Sequence, residues 1–305
     1  HPIQLSKILF PLPNTSKAIN SKTRGDEEKI ATGLSILHEE DPTFVYRVDP
    51  ELKQTIISGQ GELHLDISLK RISKRFNVEL VTHTPKVPYR ETITAKSASK
   101  YRHKKQSGGS GQFAEVWMRI EPNERGEGVD FSNSLAGQNV DRGFVPSVEK
   151  GVNHICAQGV IAGCQVVDIK IDFYDGKMHP VDSNDMAFQI AGRHAFSDAI
   201  KTAQPKLLEP IYKIQVKVPD DFTGDIMGDI SSRRGRVQGM DSEGHYQVIN
   251  AELPLACLHD YSTALKAMSS GRGMFIQEFS HYEDMPPNEA QKVISVWETA
   301  RAAGE

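Results

Sequence analysis

The chain has 305 residues, 38% of them hydrophobic, and its 36 Lys and Arg against 40 Asp and Glu leave a formal charge of -4. That balance excludes a generally basic nucleic-acid coat, so any contact with nucleic acid must be local, and the length calls for about two or three domains, each with its own core. Cys156, Cys164 and Cys257 lack zinc-ligand spacing and suit a reducing cytosol, and no signal peptide, membrane span or lipidation motif is visible.

The chain opens at His1 without a methionine and turns apolar at once, which predicts a piece of something longer. Ile3 to Phe10 reads as a strand, and a turn-rich stretch leads to Asp26, a helix cap before Ile30, Leu34 and Leu37 on one face. Phe44 to Val48 and Gln54 to Ser58 read as short strands. Gly61 then opens a helix whose Leu65, Leu69, Ile72 and Phe76 share a face, and Val78 to Val81 closes a βαββαβ unit.

The middle has a different pattern. Lys96 to Gln112 gathers Lys96, Lys100, Arg102, Lys104 and Lys105 without one acid, and Gly108, Gly109 and Gly111 follow. Such a run reads either as an RNA-facing loop, with cations for phosphates and glycine amides for close approach, or as a solvated hairpin tip. Tyr101, His103 and Phe113 could stack on bases or pack the loop's base. Strands flank this run at Glu91 to Ala95 and Phe113 to Ile120. Gly109, Gly111 and Ala114 spell a dinucleotide-fingerprint variant but lie between strands rather than ahead of a helix.

Pro146 starts a helix with Val148, Val152 and Ile155 inward, Val166 to Phe173 forms a strand, and Asp182 or Ser183 caps a long helix bearing Phe188, Ala191, Ala195 and Ala199. The connection YDGKMHPV (174–181) uses Gly176 for a tight turn and Pro180 to extend His179 at a tip. His179 is either a nucleic-acid contact or an uninvolved loop histidine. A metal site of His179, Asp182 and Asp185 is disfavoured, since a helix cap and a first-turn carboxylate account for both acids. No hydrolase, zincin or P-loop motif appears, so no catalytic residue is assigned.

The first pattern recurs at the end. Ile214, Val216 and Val218 alternate along a strand, Asp221 to Ser231 suits a helix, and Gly235 to Met240 and Tyr246 to Leu253 read as paired strands. Asp260 caps a helix with Tyr261, Leu265 and Met268, Met274 to Phe279 closes the unit, and a helix from about Asn288 to Ala302 is an appended tail. Arg233, Arg234 and Arg236 could clamp phosphates, or Asp225 and Asp229 could hold Arg233 in ordinary ion pairs.

In order along nearly the whole chain, SGQGELHLDI (58–67), PKVPYRETI (85–93), HKKQSGGSGQF (103–113), GFVPSVEKG (143–151), YDGKMHPVDSNDMAFQIAG (174–192), LLEPI (207–211) and TGDIMGDISSRRGRVQGMDS (223–242) resemble the carboxyl-terminal half of elongation factor G, the ribosomal translocase family. The resemblance implies an α+β chain in which two ferredoxin-like split-βαβ domains, 1–86 and 207–305 with the carboxyl-terminal helix, flank an elongated α/β arm, 87–206, resembling a ribosomal-protein fold. It implies that Lys104, Lys105, Gln106, Ser107, Gly108, Gly109 and His179 form an RNA-binding tip entering the decoding centre, with Arg233, Arg234 and Arg236 as ribosomal-RNA contacts.

The partners implied are ribosomal RNA, tRNA and mRNA, with a GTPase domain in cis. The protein would be a cytoplasmic monomer that binds no membrane. GTP and magnesium belong to an amino-terminal domain not visible in this chain, so the chain itself is expected to need no cofactor or metal and not to hydrolyse GTP. Ser110, Met178, Pro180 and Asn14 to Ser21 depart from the family pattern and point to a paralogue. Recycling, rescue and ribosome-protection factors on the same domains are the alternative to translocation.

Overall fold

A computed structural model describes residues 8, 10–23, 25–106 and 111–303. Most of the Ile3 to Phe10 strand, and Ser107, Gly108, Gly109 and Ser110 of the first loop, lie outside the described residues; Ile8 and Phe10 have no regular structure. The fold is α+β, and the chain divides into two compact units, His1–Pro88 with Pro210–Tyr282 and Tyr89–Glu209 with Glu283–Glu305.

The first unit begins with β1 (Thr15–Ser21), α1 (Glu27–Glu40), β2 (Val45–Asp49), β3 (Gln54–Gly59), α2 (Glu62–Phe76) and β4 (Leu80–His83). The sheet order is β2-β3-β1-β4, the ferredoxin-like arrangement. Ile19, Leu34, Ile57, Leu65 and Ile72 form its core. β1 corrects the turn-rich reading of this stretch, and Asn14 to Ser21 is no departure from a strand. Its Ser, Lys and Asn content looks turn-like, but pairing with β3 and β4 on its two sides buries Ala18 and Ile19 and overrides propensity. Asp26 makes no cap bond; its carboxylate takes Lys29 at 2.8 Å.

The second unit holds β5 (Arg90–Ile93), β6 (Ser97–Lys105), β7 (Gln112–Pro122), β8 (Val129–Asn133), α3 (Val145–Gln158), β9 (Gln165–Val166), β10 (Ile169–Lys177) and α4 (Asp185–Thr202). Its four-stranded sheet runs β6-β7-β10-β8, parallel only between β10 and β8. Most of the basic run read as a loop is thus strand β6: its alternating half-buried and exposed residues match β7 over Ser97↔Ile120 to Lys105↔Gln112. β8, where Val129 and Phe131 alternate with Asp130 and Ser132, is a strand not expected above.

Val116, Met118 and Ile120 of β7 and Ile169, Ile171 and Phe173 of β10 bury one sheet face against α3 and α4. The two helices approach closely at Gly151, where a Cβ would lie 2.2 Å from the Gln189 carbonyl oxygen. Asn184, not Asp182 or Ser183, caps α4, accepting from the Ala187 amide at 2.9 Å. Gly176 lies within β10, where it admits the Glu115 carbonyl rather than making a turn.

On β5, Glu91, 1% exposed, accepts from the amides of Val160, Ile161, Ala162 and Cys164 at 2.7 to 3.0 Å and fixes the loop after α3.

β11 (Pro205–Pro219) starts in the second unit, antiparallel to β5, and returns the chain to the first. There α5 (Thr223–Ser232), β12 (Arg236–Glu243), β13 (Tyr246–Pro254), α6 (Tyr261–Met268) and β14 (Met274–Asp284) repeat the ferredoxin-like order, β12-β13-β11 with β14 against β11. Ile214, Val216, Ile226, Ile230, Tyr261 and Phe275 fill that core. Asp260 does not cap α6 with its side chain.

The final helix, α7 (Pro287–Ala303), is more than an appended tail. Ala290, Val293 and Ile294 pack with Ala162, Leu207 and Met285, so it belongs to the second unit. Among the described residues no helix is long and apolar enough to cross a membrane.

Candidate nucleic-acid interface

The residues singled out from two separate stretches meet at one end of the β7–β10 ladder. Register pairs Lys104 with Phe113 and Lys105 with Gln112, so both lysines stand where the β6–β7 hairpin turns, and exposed Gln106 begins the turn. The segment after β10 is fastened to the same turn. Asp182 receives the Gly111 amide on Oδ1 at 3.0 Å, and its own carbonyl receives the Phe113 amide at 2.9 Å. Ser183 Oγ donates to the Phe113 carbonyl at 2.7 Å and accepts from the His179 amide at 2.8 Å.

These bonds also orient His179. Its Nδ1 accepts from the Val181 and Asp182 amides at 3.3 and 3.2 Å, which puts the ring proton on Nε2. The ring is 51% exposed and lies 6.3 Å from the Phe113 ring. The result is an outward donor held by backbone, suited to a phosphate or a base edge. Asp182 gives Oδ1 to Gly111 and leaves Oδ2 3.4 Å from His179 Nδ1, while Asp185 accepts from Ser147 Oγ at 2.7 Å, so the three do not converge on one point. Among the described residues no group of three His, Cys, Asp or Glu is placed to hold a metal.

The cations of the run divide by partner. Lys96 pairs with Glu121 at 2.7 Å, and Arg102 pairs with the buried Glu115, which also receives Trp117 Nε1 at 2.8 Å. Burial alone would raise the Glu115 carboxyl; bonds from Trp117 and Arg102, with the charges of Arg102 and Lys177, outweigh it and hold the group below the usual range. Lys104 and Lys105 have no carboxylate partner among the described residues. Lys96 and Arg102 are thus neutralised, while Lys100 within β6 and the two lysines at the turn keep their charge, an arrangement that favours an anion at the turn.

Lys177, at the end of β10, joins this end and was not singled out from sequence; strand alternation from Phe173 with one bulge would have found it. Tyr101 and His103 face the other way. Tyr101 stacks on His194 at 4.6 Å and His103 Nε2 bonds Gln112 Oε1 at 2.9 Å, so neither is presented to a base.

The three arginines belong to the first unit and are not equivalent. Arg233 donates to Asp229 at 2.8 Å, to Asp260 at 2.8 Å and to the Cys257 carbonyl at 3.0 Å, and lies 5.4 Å from the Tyr261 ring centre. It is a structural clamp between α5 and α6. Asp225 is not one of its partners in these bonds. Arg234 and Arg236 are exposed; Arg234 donates to Cys257 Sγ at 3.8 Å and takes a left-handed φ of 63°. The Arg234 and Gly235 amides bond the Ser231 and Ile230 carbonyls at 3.2 and 2.9 Å, a Schellman closure with arginine in the position that favours glycine.

Three families match in succession: Elongation Factor G, domain III, over residues 10–84; Elongation factor G, domain IV, over 85–204; and Elongation factor G C-terminus over 206–293. The chain is 44% identical over 295 residues to an elongation factor G of Aquifex pyrophilus, covering 96% of this chain and 42% of that one. A crystal structure of a protein from Thermus thermophilus is similar with a TM-score of 0.83 and 38% identity, over 96% of this chain and 44% of the other. The chain therefore spans less than half the length of these relatives.

Proposed function

The chain belongs to the elongation factor G family, and from that premise we propose that it is the ribosome-engaging part of a translation elongation factor that promotes translocation of tRNA and mRNA. One observation carries the reading: two loops about seventy residues apart in sequence are bonded into a single end that leaves Lys104 and Lys105 without a carboxylate partner among the described residues and the His179 ring, beside Asp182, half exposed. Such an end acts by shape and phosphate contact. It enters the decoding centre and obstructs return of the tRNA, with no covalent step assigned to its residues.

Family membership supports ribosomal RNA, tRNA and mRNA as partners in the cytoplasm. It assigns GTP and magnesium to an amino-terminal GTPase domain not contained in this sequence, which would supply the motion. Arg234 and Arg236 are the better candidates of their cluster for ribosomal RNA, because Arg233 is committed to the fold.

Binding of the chain to ribosomes across a salt series tests the reading. Affinity should fall steeply with salt, and Lys104→Ala and Lys105→Ala should each lower the log–log slope by about 1. Salt-independent binding, or slopes that neither substitution changes, would contradict it. Full-length protein that splits ribosomes or ejects a bound drug without advancing mRNA would favour the recycling or protection alternative.

A further inference from the structure

Charge and aromatic character continue beyond the turn, along the sheet face that points away from α3 and α4. Strand alternation brings out Lys100, Arg102 and Lys104 on β6 and Phe113, Trp117 and Arg119 on β7, and Lys177 of β10 aligns with Glu115 on that face. A register shift between Phe173 and Asp175 adds Tyr174, whose ring stands edge-on to Trp117 at 6.2 Å. We propose that this face binds single-stranded RNA, with Trp117 and Tyr174 as stacking platforms and the surrounding Lys and Arg on the phosphates.

Charge complementarity selects the occupant. Three acids of the face are already paired with cations: Glu115 with Arg102, Glu121 with Lys96, and Asp172 with Arg119; Asp130 stands opposite Lys170 in the β8–β10 ladder, and Asp175, opposite Trp117, accepts from Asn139 Nδ2 at 3.3 Å and the Gly176 amide at 2.8 Å. Lys100, Lys104 and Lys177 have no carboxylate partner among the described residues. What the face offers outward is therefore cationic and aromatic, the combination that receives an unpaired strand, because backbone phosphates meet the cations and base faces meet the rings. A duplex hides its base faces and could not use the rings.

The rings are reachable. Lys100 Nζ lies 5.5 Å from the Trp117 ring centre and the Arg119 guanidinium 5.3 Å from that of Tyr174, so each carries a surface cation on its electron-rich face. A base can replace that cation and release it to a neighbouring phosphate, exchanging a weak contact for stacking plus an ion pair. Beside Arg119 a groove of about 910 Å³ runs past Lys170, Ser97, Ser132 and Asn133.

The inference rests on the translation-factor reading but concerns a face that meets the hairpin turn only at Lys104 and Phe113, so variants of Lys105 and His179 let the two fail separately. Trp117 and Trp297 are the two tryptophans of the chain, and a Trp297→Phe variant makes Trp117 the sole reporter. Titration with a ten-residue oligouridylate and with an RNA duplex of equal length is the test. The strand should quench Trp117 and bind about tenfold or more tighter than the duplex. Tyr174→Ala should weaken it about fivefold or more and Tyr174→Phe should not.

Quenching that survives Lys105→Ala with His179→Ala would support the face even if the turn has no ribosomal role. Absent quenching, equal affinity for the duplex, affinity unchanged by Tyr174→Ala, or quenching by an acidic peptide in place of RNA would overturn the proposal.

Discussion

Ser183 Oγ donates to the Phe113 carbonyl at 2.7 Å while accepting the His179 amide at 2.8 Å, so one hydroxyl ties the two loops of the candidate interface to each other. The first bond is not local, since Ser183 and Phe113 are seventy positions apart, whereas the second closes the histidine loop across four residues. The hydroxyl sets the spacing between the lysine-bearing hairpin and the histidine.

Ser183→Ala should remove both bonds and cost about 1–2 kcal/mol, since a carbonyl and an amide lose their partner where solvent only partly replaces it. Hydrogen exchange should rise at the His179 amide, which loses its acceptor, while α4, capped independently by Asn184, stays protected. Ser183→Thr should retain the bonds. Unchanged exchange in the alanine variant would show that the Asp182 contacts suffice to hold the loops.

Glu115 gives the second unit a defined acid response. Its folded-state value is depressed, so the unfolded chain binds the proton more readily; stability from this group is fully present above its usual value of 4.5 and is lost as pH falls through the lower folded value. Replacement by Gln should flatten the stability profile below about pH 4.5 and leave the shape unchanged above about pH 6. Urea midpoints taken across that range check the sign: a variant whose stability falls with acid as steeply as the parent removes Glu115 from the account.

Arg233 and Arg234 should separate cleanly. Arg233→Ala breaks the clamp on Asp229 and Asp260 and should cost about 2 kcal/mol. Arg234→Gly relieves a left-handed φ and should stabilise by up to about 1 kcal/mol, the gain being limited by the added freedom of glycine when unfolded. Ribosome affinity should fall in the second variant despite the gain. Equal loss of stability in both would show that Arg234 also holds the fold.

Much of this architecture was legible in the sequence because both βαββαβ units carry clean apolar spacing, as at Leu65, Leu69 and Ile72 or at Ile214, Val216 and Val218. β1 was not, because its Ser, Lys and Asn are turn-like and only pairing on its two sides makes it a strand. β6 was hidden for a related reason: alternation among Lys100, Tyr101, Arg102 and His103 carries no apolar signal, although exposure alternates along it. The candidate residues were visible as a basic run and an exposed histidine. Their partition was not, since Glu115, Asp182, Asp229 and Asp260 become partners only through tertiary contacts.

The central claim is that the end bearing Lys104, Lys105 and His179 acts on the ribosome by contact alone. Single-turnover translocation by the full-length protein with all three replaced by alanine tests it most directly, with ribosome-stimulated GTP hydrolysis measured alongside. The account predicts translocation slowed about tenfold or more with hydrolysis near the parent rate, each lost charge-assisted contact being worth about 1 kcal/mol or more. Translocation at the parent rate would contradict it.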